Sequence, residues 1–427
     1  LFTKNEGIFF SVASISLFIG YMQILVIGAG SAGCMVALKC ARAAEGHDVV
    51  LLEREDTILK HCMRSVDGRP LITNNNACKE NAEDVYSEGS KEMLGLLHRW
   101  DVYQTQGWFE ADEGLSIEEI EDDAWVADMD VDSYRNWWLE RLQDAGVQVR
   151  CNLSMIDLLK VTDGFRVWTK EGETIDADIV CLATGITQGG FGLGAAQYFK
   201  HEVLPQQATL LDLHCSDNRL KNLQGIHFPE ATVSIPEANL SVTGSLDISG
   251  KGLGGNAIGQ LCSLGIDWMK SKDFKFAINI RWLPQDVKPE PIIRRAHQEY
   301  SRRYAYEFNP LELPQRFWER VLKYLKVDER DNWGRVDPKV HNQICSQLMF
   351  SNYRIDGFNM WKDEWTCRGG VSLREIDTPS MQSKHQEGVY FVGEMLNIDG
   401  LPGGYNTQMA WTTAVNAATA IIERVNV

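Results

Sequence analysis

The chain is short of basic charge and has no paired cysteines. Against 59 acidic residues it carries 42 basic ones, a net charge of −17. Phosphate-driven affinity needs a basic face, so general binding to nucleic acid or to an anionic membrane surface is not expected. An anionic cofactor held by backbone amides remains compatible with that charge. The ten cysteines are scattered, without a C-x-x-C or C-x-x-x-x-C pair and without zinc-ligand spacing. That argues against a disulfide scaffold, a paired-cysteine redox mechanism and a zinc ribbon, and reduced thiols in the cytoplasm fit best. Read singly, none of the nine histidines stands in a metal or triad constellation, so no metal is expected. Internal repeats and long low-complexity tracts are also missing.

One stretch lacks charge altogether, from Gly7 to Leu38. Its latter part, Ile24–Ile27 followed by Gly28-Ala29-Gly30, reads as the first strand and turn of a nucleotide-binding fold. That leaves the fourteen residues Ile8–Tyr21, which as a helix reach only about 21 Å, short of a hydrocarbon core of roughly 30 Å. A basic leader and a small-residue cleavage site are not evident either. No membrane span is expected, and residues 1–21 are read as an extension ahead of Met22.

What is present is a chain of 427 residues with 44% hydrophobic and 24% charged content, enough for two or three domains. Met22–Ile27 is a short apolar run, Ser31–Ala44 is helical in composition, and Asp48–Glu53 is a second apolar run, giving β-α-β. Leu71–Asn81, polar and rich in asparagine, reads as a loop. Ser133–Asp144 reads as an amphipathic helix with Trp137 and Trp138 as core, leading to a strand at Val147–Cys151. A hairpin follows at Phe165–Thr169 and Glu173–Ile175, then a strand at Asp178–Ala183. From about 190 short strands dominate; Ile292–Tyr306 and Leu313–Leu325 are helical; near 355 strand and glycine character returns. The expected architecture is α/β: a Rossmann-like domain split between 22–190 and 355–427, a β-rich insertion at 191–262 and a helical insertion at 263–354.

Three motifs carry the chemistry. Gly28-Ala29-Gly30-Ser31-Ala32-Gly33 is G-x-G-x-x-G between strand and helix: tight turn, close approach of the backbone to a pyrophosphate, and close helix–strand packing, in that order of glycines. The diphosphate then sits on unpaired N–H groups at the helix start. Glu53 ends the next strand, where a carboxylate accepts from both ribose hydroxyls. Arg54 beside it suits a phosphorylated ribose or a solvated face. Ala183-Thr184-Gly185 ends the second signal, a strand turning close to a cofactor. The third is Val389–Gly393-Glu394, followed by Asp399-Gly400-Leu401-Pro402-Gly403-Gly404-Tyr405-Asn406 opening the last helix. Its glycines suit close approach to a flat ring, and its helix dipole favours the negative charge of a reduced flavin.

These segments, with Leu71–Asn81, RGGVSLREID and Met381–Lys384, resemble the BaiN/YhiN-type NAD(P)/FAD-dependent oxidoreductases, a family that includes an aminoacetone-oxidase-like flavoenzyme. The resemblance runs from Met22 to the C-terminus and is strongest over Val389–Trp411. It implies FAD as cofactor, NAD(P)H as a possible transient electron donor, a β-barrel-like insertion and a small helical one. By family position Asn75, Asn76 and Cys78 form the flavin-side loop, and Tyr405 and Asn406 the opposite wall. The chain departs from the family where a Gly-x-Gly-Arg-Cys-Asn loop becomes Asn74-Asn75-Asn76-Ala77-Cys78-Lys79. Asparagine tolerates left-handed backbone, so the loop shape is expected to survive, while Ala77 removes a cation. Cys367 replaces a threonine.

The expected activity is hydride transfer between a small organic substrate or NAD(P)H and flavin N5; no catalytic residue is named. A flavin-bound protein without turnover, as sensor or assembly partner, is the alternative. Gly250–Asn256 resembles a second dinucleotide turn but lacks the following strand and acid, and is read as a structural turn.

Overall fold

The computed structural model describes residues 21–44, 46–60, 68–120, 122–186, 190–209, 211–360 and 367–426. The extension expected at 1–21 lies outside these except for Tyr21, and so do residues 187–189 of the segment after Gly185.

Strand β1 (Gln23–Ile27) has Ile24, Leu25, Val26 and Ile27 fully buried. An unbroken apolar run of this kind belongs to a parallel strand covered on both faces. Helix α1 (Ser31–Ala43) and strand β2 (Asp48–Leu52) complete the β-α-β unit. Strand β3 (Leu71–Asn74) then pairs antiparallel with β4 (Asp123–Val126). Helix α2 (Val131–Asp144), capped by the Asp130 carboxylate on Ser133 N–H, leads to β5 (Gln148–Arg150). Strand β6 (Ile179–Leu182) follows, and β7 (Val203–Ala208) leaves the domain.

The excursion includes helix α3 (Asn256–Ser271), and the chain returns through β8 (Cys367–Val371), antiparallel to β7. It ends in β9 (Val389–Phe391) and α4 (Tyr405–Val425). The first sheet runs 376–377, 382–383, β9, β6, β1, β2, β5, with its core strands parallel. Ile27 pairs with Leu182 on one side and Leu52 on the other, so three strand ends stop at one level. At the carboxyl ends of such strands a doubly wound sheet binds its ligand. Helix α4 packs along α1 on one face, and a three-stranded sheet of residues 155–177 covers β1 and β6 on the other. Trp138 stacks on Trp411 at 5.8 Å, and Trp411 Nε1 donates to Ile72 O at 2.8 Å, fixing α2 and β3 to α4.

The second sheet is antiparallel throughout, in the order 351–355, 276–281, 226–235, 240–248, 252–254, 211–214, 357–360. Its two edge strands, Ser351–Ile355 and Gly357–Met360, are separated only by Asp356. One bent segment thus serves both edges and curls the sheet toward a barrel, with α3 packed against it. The sheet therefore draws strands from both insertions read in the sequence. Helices Pro289–Glu299, Gln315–Tyr324 and Pro338–Met349 share its core through Ile293, Trp318 and Ile344. The last of these was not read from the sequence, though Asp337-Pro338 marks its start: the Asp337 carboxylate accepts from Lys339 N–H at 2.7 Å.

Leu71–Asn81 is not a plain loop. Its first four residues are a strand with Ile72, Thr73 and Asn74 buried. Polar side chains are accommodated there because each finds a partner: Thr73 Oγ1 donates to Gln408 Oε1 at 2.7 Å, and Asn74 Nδ2 to Asp123 Oδ1 at 2.8 Å.

Candidate functional site: a cofactor cradle

The first turn is built for close approach. Gly28 has φ +103°, and a Cβ on it would lie 2.5 Å from Ala183 O. A Cβ on Gly33 would lie 1.8 Å from Gly28 O, so α1 touches the turn backbone to backbone. Gly30 caps α1 without a side-chain hydrogen bond, and the first turn holds no acidic residue. The N–H groups of Ser31, Ala32 and Gly33 are thus presented to an anion. Glu53 braces the turn from β2: Oε2 accepts from Ala29 N–H at 2.7 Å and Oε1 from Glu55 N–H at 2.9 Å. Each oxygen keeps a lone pair for a ribose hydroxyl. Arg54 is exposed and ion-paired with Glu55 at 3.0 Å, which suits its solvated reading.

The far end of the chain meets this turn. Gly393, φ +64°, faces α1 so closely that a Cβ would sit 3.0 Å from the Ala32 methyl. Its N–H donates to Thr413 Oγ1 of α4 at 2.9 Å. The Glu394 carboxyl lies beside Gly185, φ +65°, and Thr184 Oγ1 reaches Met395 Sδ at 2.9 Å. Burial, then the nearby Asp399, push the Glu394 carboxyl up to about 7. Asp399 is 1% exposed; its Oδ2 accepts from Ser87 Oγ at 2.8 Å and Ser263 Oγ at 3.0 Å, while Oδ1 has no partner. A buried carboxylate oxygen left unpaired is costly, and a hydroxylated chain passing here would satisfy it.

The ring side follows. Gly403 (φ +108°) and Gly404 (φ +81°) open α4, again without a side-chain cap. A Cβ on Gly404 would come within 2.7 Å of Thr73 C, so the helix start lies against the end of β3. The Tyr405 phenol is pushed up to about 12 by burial, then by Asp122 and Asp123, with the Asn76 side chain nearby acting in the opposite direction. Cys78, buried, neighbours Tyr405 and Tyr86. Tyr86 OH donates to Tyr405 O at 3.0 Å. Asn406 is spent on its own turn, accepting from Gly400 N–H at 2.8 Å and donating to Gly400 O at 3.0 Å.

These features suit FAD: a diphosphate on α1, a polyol chain near Asp399, and a flat ring between the start of α4 and the Asn75–Cys78 loop. A family profile described as "HI0933-like protein Rossmann domain" matches residues 22–420. The chain belongs to the HI0933-like family. It is an FAD-binding oxidoreductase of the BaiN/YhiN type. A "3-dehydro-bile acid delta(4,6)-reductase" of Clostridium scindens is 22% identical over 421 residues, covering 94% of this chain and 99% of the relative. A "Ribosomal RNA dihydrouridine synthase" of Escherichia coli is 23% identical over 415 residues, covering 93% and 97%. Among solved structures, CtdE in complex with FAD aligns with a TM-score of 0.37 and 12% identity, covering 94% of this chain and 84% of that one.

Within this HI0933-like chain the asparagine loop works differently from expectation. None of Asn74, Asn75 and Asn76 has a positive φ. Their side chains hold the loop instead: Asn74 Oδ1 accepts from Asn76 N–H at 2.9 Å, and Asn75 Oδ1 from Gln106 Nε2 at 2.8 Å. This is the Asx-type bonding that lets asparagine replace a glycine turn without left-handed backbone. Ala77 is fully buried. The glycines before Asn256 form an antiparallel strand and the start of α3, which abuts Gly403. The sequence did not single out Asp123, Ser87 or Ser263, which come from segments far from any motif, and it read Asn256 only as the end of a structural turn.

Glu394 gives a pH signature. Between its ordinary 4.5 and about 7 the folded apoprotein holds a proton that the unfolded chain releases, so stability present below that window is lost as pH rises through it. Glu394→Gln is expected to flatten that decline in melting curves taken across the range. A wild-type apoprotein with no decline would show that this carboxyl does not carry the proton.

Proposed function

We propose that the protein reduces an electron-poor carbon–carbon double bond of a small organic molecule, with NAD(P)H as electron donor. The observation that supports it most is the meeting of the chain's two ends, Gly393 on Ala32 and Gly404 on β3, an arrangement that would lodge a bound ring beside Tyr405. Bound FAD supplies hydride at N5. The chain's own part is placement and proton supply. The Tyr405 phenol keeps its proton at neutral pH and stands next to Asn76 and Cys78, which suits it to protonate the carbon adjacent to the one that receives hydride. The names of both relatives denote reductions of unsaturated carbon, in a bile acid and in a nucleoside.

A small molecule is favoured over RNA by the charge of −17, which supplies little attraction for phosphates. Cytoplasmic residence belongs to the same reading: all eight cysteines described by side chain are free, and no helix among the described residues is long and apolar enough to cross a membrane. The alternative, a flavoprotein without turnover, draws on buried Ala77 where the family has arginine. Anaerobic mixing with NADH or NADPH separates them. Bleaching of the flavin band, then its return on adding 2-cyclohexenone, is the expected result. A band unmoved by either nucleotide contradicts the enzyme.

A further inference from the structure

We propose that His201, Glu375 and His385 form a binding site for one divalent first-row cation, zinc foremost, that ties the outgoing strand of the FAD domain to the returning one. The three side chains offer ligand atoms all within 4.8 Å of one another. His201 Nδ1 lies 3.4 Å from Glu375 Oε2, and His385 Nε2 lies 3.5 Å from Glu375 Oε1. Zinc bonds of about 2.0–2.2 Å to nitrogen and oxygen in a tetrahedron put neighbouring ligands roughly 3.4 Å apart. The two Glu375 contacts have that length but end on different oxygens, so a small turn of the carboxylate is needed to bring one oxygen to both rings. The imidazole rings stand 4.9 Å apart at 76°, close enough to share one ion.

The His201 side chain is fully buried, and its Nδ1 has no hydrogen-bond partner. His201 Nδ1 faces the Glu375 carboxylate at 3.4 Å without a well-directed hydrogen bond, a gap that a cation between them would fill. The other ring nitrogen, Nε2, is 2.7 Å from Ser383 Oγ, the outer contact that orients a metal-binding ring. Ser383 Oγ also accepts from the N–H groups of His385 at 3.0 Å and Gln386 at 2.8 Å, folding the loop that carries His385 around the same hydroxyl. Glu375 Oε2 accepts from Glu202 N–H at 2.6 Å. Two imidazoles and one carboxylate suit zinc, and His385, 39% exposed, leaves a fourth position open to water.

The placement gives the ion a role. His201 stands two residues ahead of β7, where the chain leaves for the barrel; Glu375 and His385 follow β8, where it comes back. A metal here would fix the two connecting strands at their root. None of these residues belongs to the FAD cradle.

Tag-free holoprotein, stripped with a chelator and dialysed, is titrated with zinc chloride by calorimetry, and melting curves are taken with and without the ion. The expected result is one zinc per chain and a rise in Tm that tracks saturation. His385→Gln, at a partly exposed position, is expected to weaken binding at least about tenfold without changing flavin content. His201→Gln should abolish it, and His385→Gln keeps the test decisive should that buried variant fail to fold. No heat of binding up to roughly 100 µM zinc, or His385→Gln binding as tightly as wild type, overturns the site.

Discussion

Gly33→Ala is expected to purify colourless. The added methyl would need to sit 1.8 Å from Gly28 O, a backbone atom that cannot swing aside. Gly28 has no room to retreat either, because it is itself packed on the Ala183 carbonyl at the end of β6. Relief therefore comes from sliding α1 away, which carries the N–H groups of Ser31 and Ala32 off the diphosphate. Overpacking of this kind costs about 1–3 kcal/mol in stability, and the lost anion site removes FAD on top of that. Gly95→Ala is the matched control, since Gly95 lies within the helix Ser90–Leu97 and a Cβ there meets nothing within 4 Å. It should keep its flavin and gain a few tenths of a kcal/mol, roughly up to 1. Stoichiometric flavin in Gly33→Ala would show that this turn does not cradle the cofactor.

Tyr405→Phe is expected to split the two halves of turnover. The substitution removes one oxygen from a buried ring and leaves the helix start in place, since Tyr86 bonds to the Tyr405 carbonyl and not to its hydroxyl. Reduction of the bound flavin by NAD(P)H requires no proton from the phenol and should proceed at the wild-type rate. Reoxidation by an unsaturated ketone requires one, and positioned acids are worth about 10²–10⁴ in rate. Stopped-flow traces of each half, taken separately, read the difference. Equal loss in both halves would assign Tyr405 to flavin positioning; no loss in either would remove it from the chemistry.

The strands and turns proposed to grip the nucleotide were legible as strands and turns because the physics there is local. Ile24–Ile27 must be apolar on both faces, and Gly28 and Gly33 must lack a side chain, whatever the rest of the chain does. Gly393 and Gly404 stood out for a related reason: they are useful only where something packs against them. Asn74–Asn76 were harder. Their polarity suggests a loop, yet Thr73 and Asn74 are buried by partners at Gln408 and Asp123, which no local pattern announces. The same limit applies to the barrel, where one bent segment at Asp356 joins two edges, and to Asp399, whose serine partners come from two remote elements. The histidines fall in this class as well. His201 and His385 are unremarkable in sequence and acquire a shared carboxylate only through the pairing of residues 376–377 with 382–383.

The visible spectrum of the freshly purified protein, followed by heat release and identification of the chromophore, bears most directly on the grip of both chain ends on one cofactor. One FAD per chain, with the two-banded absorption of an oxidised flavin, is the predicted result. A colourless protein that takes up no FAD when the cofactor is added would contradict it.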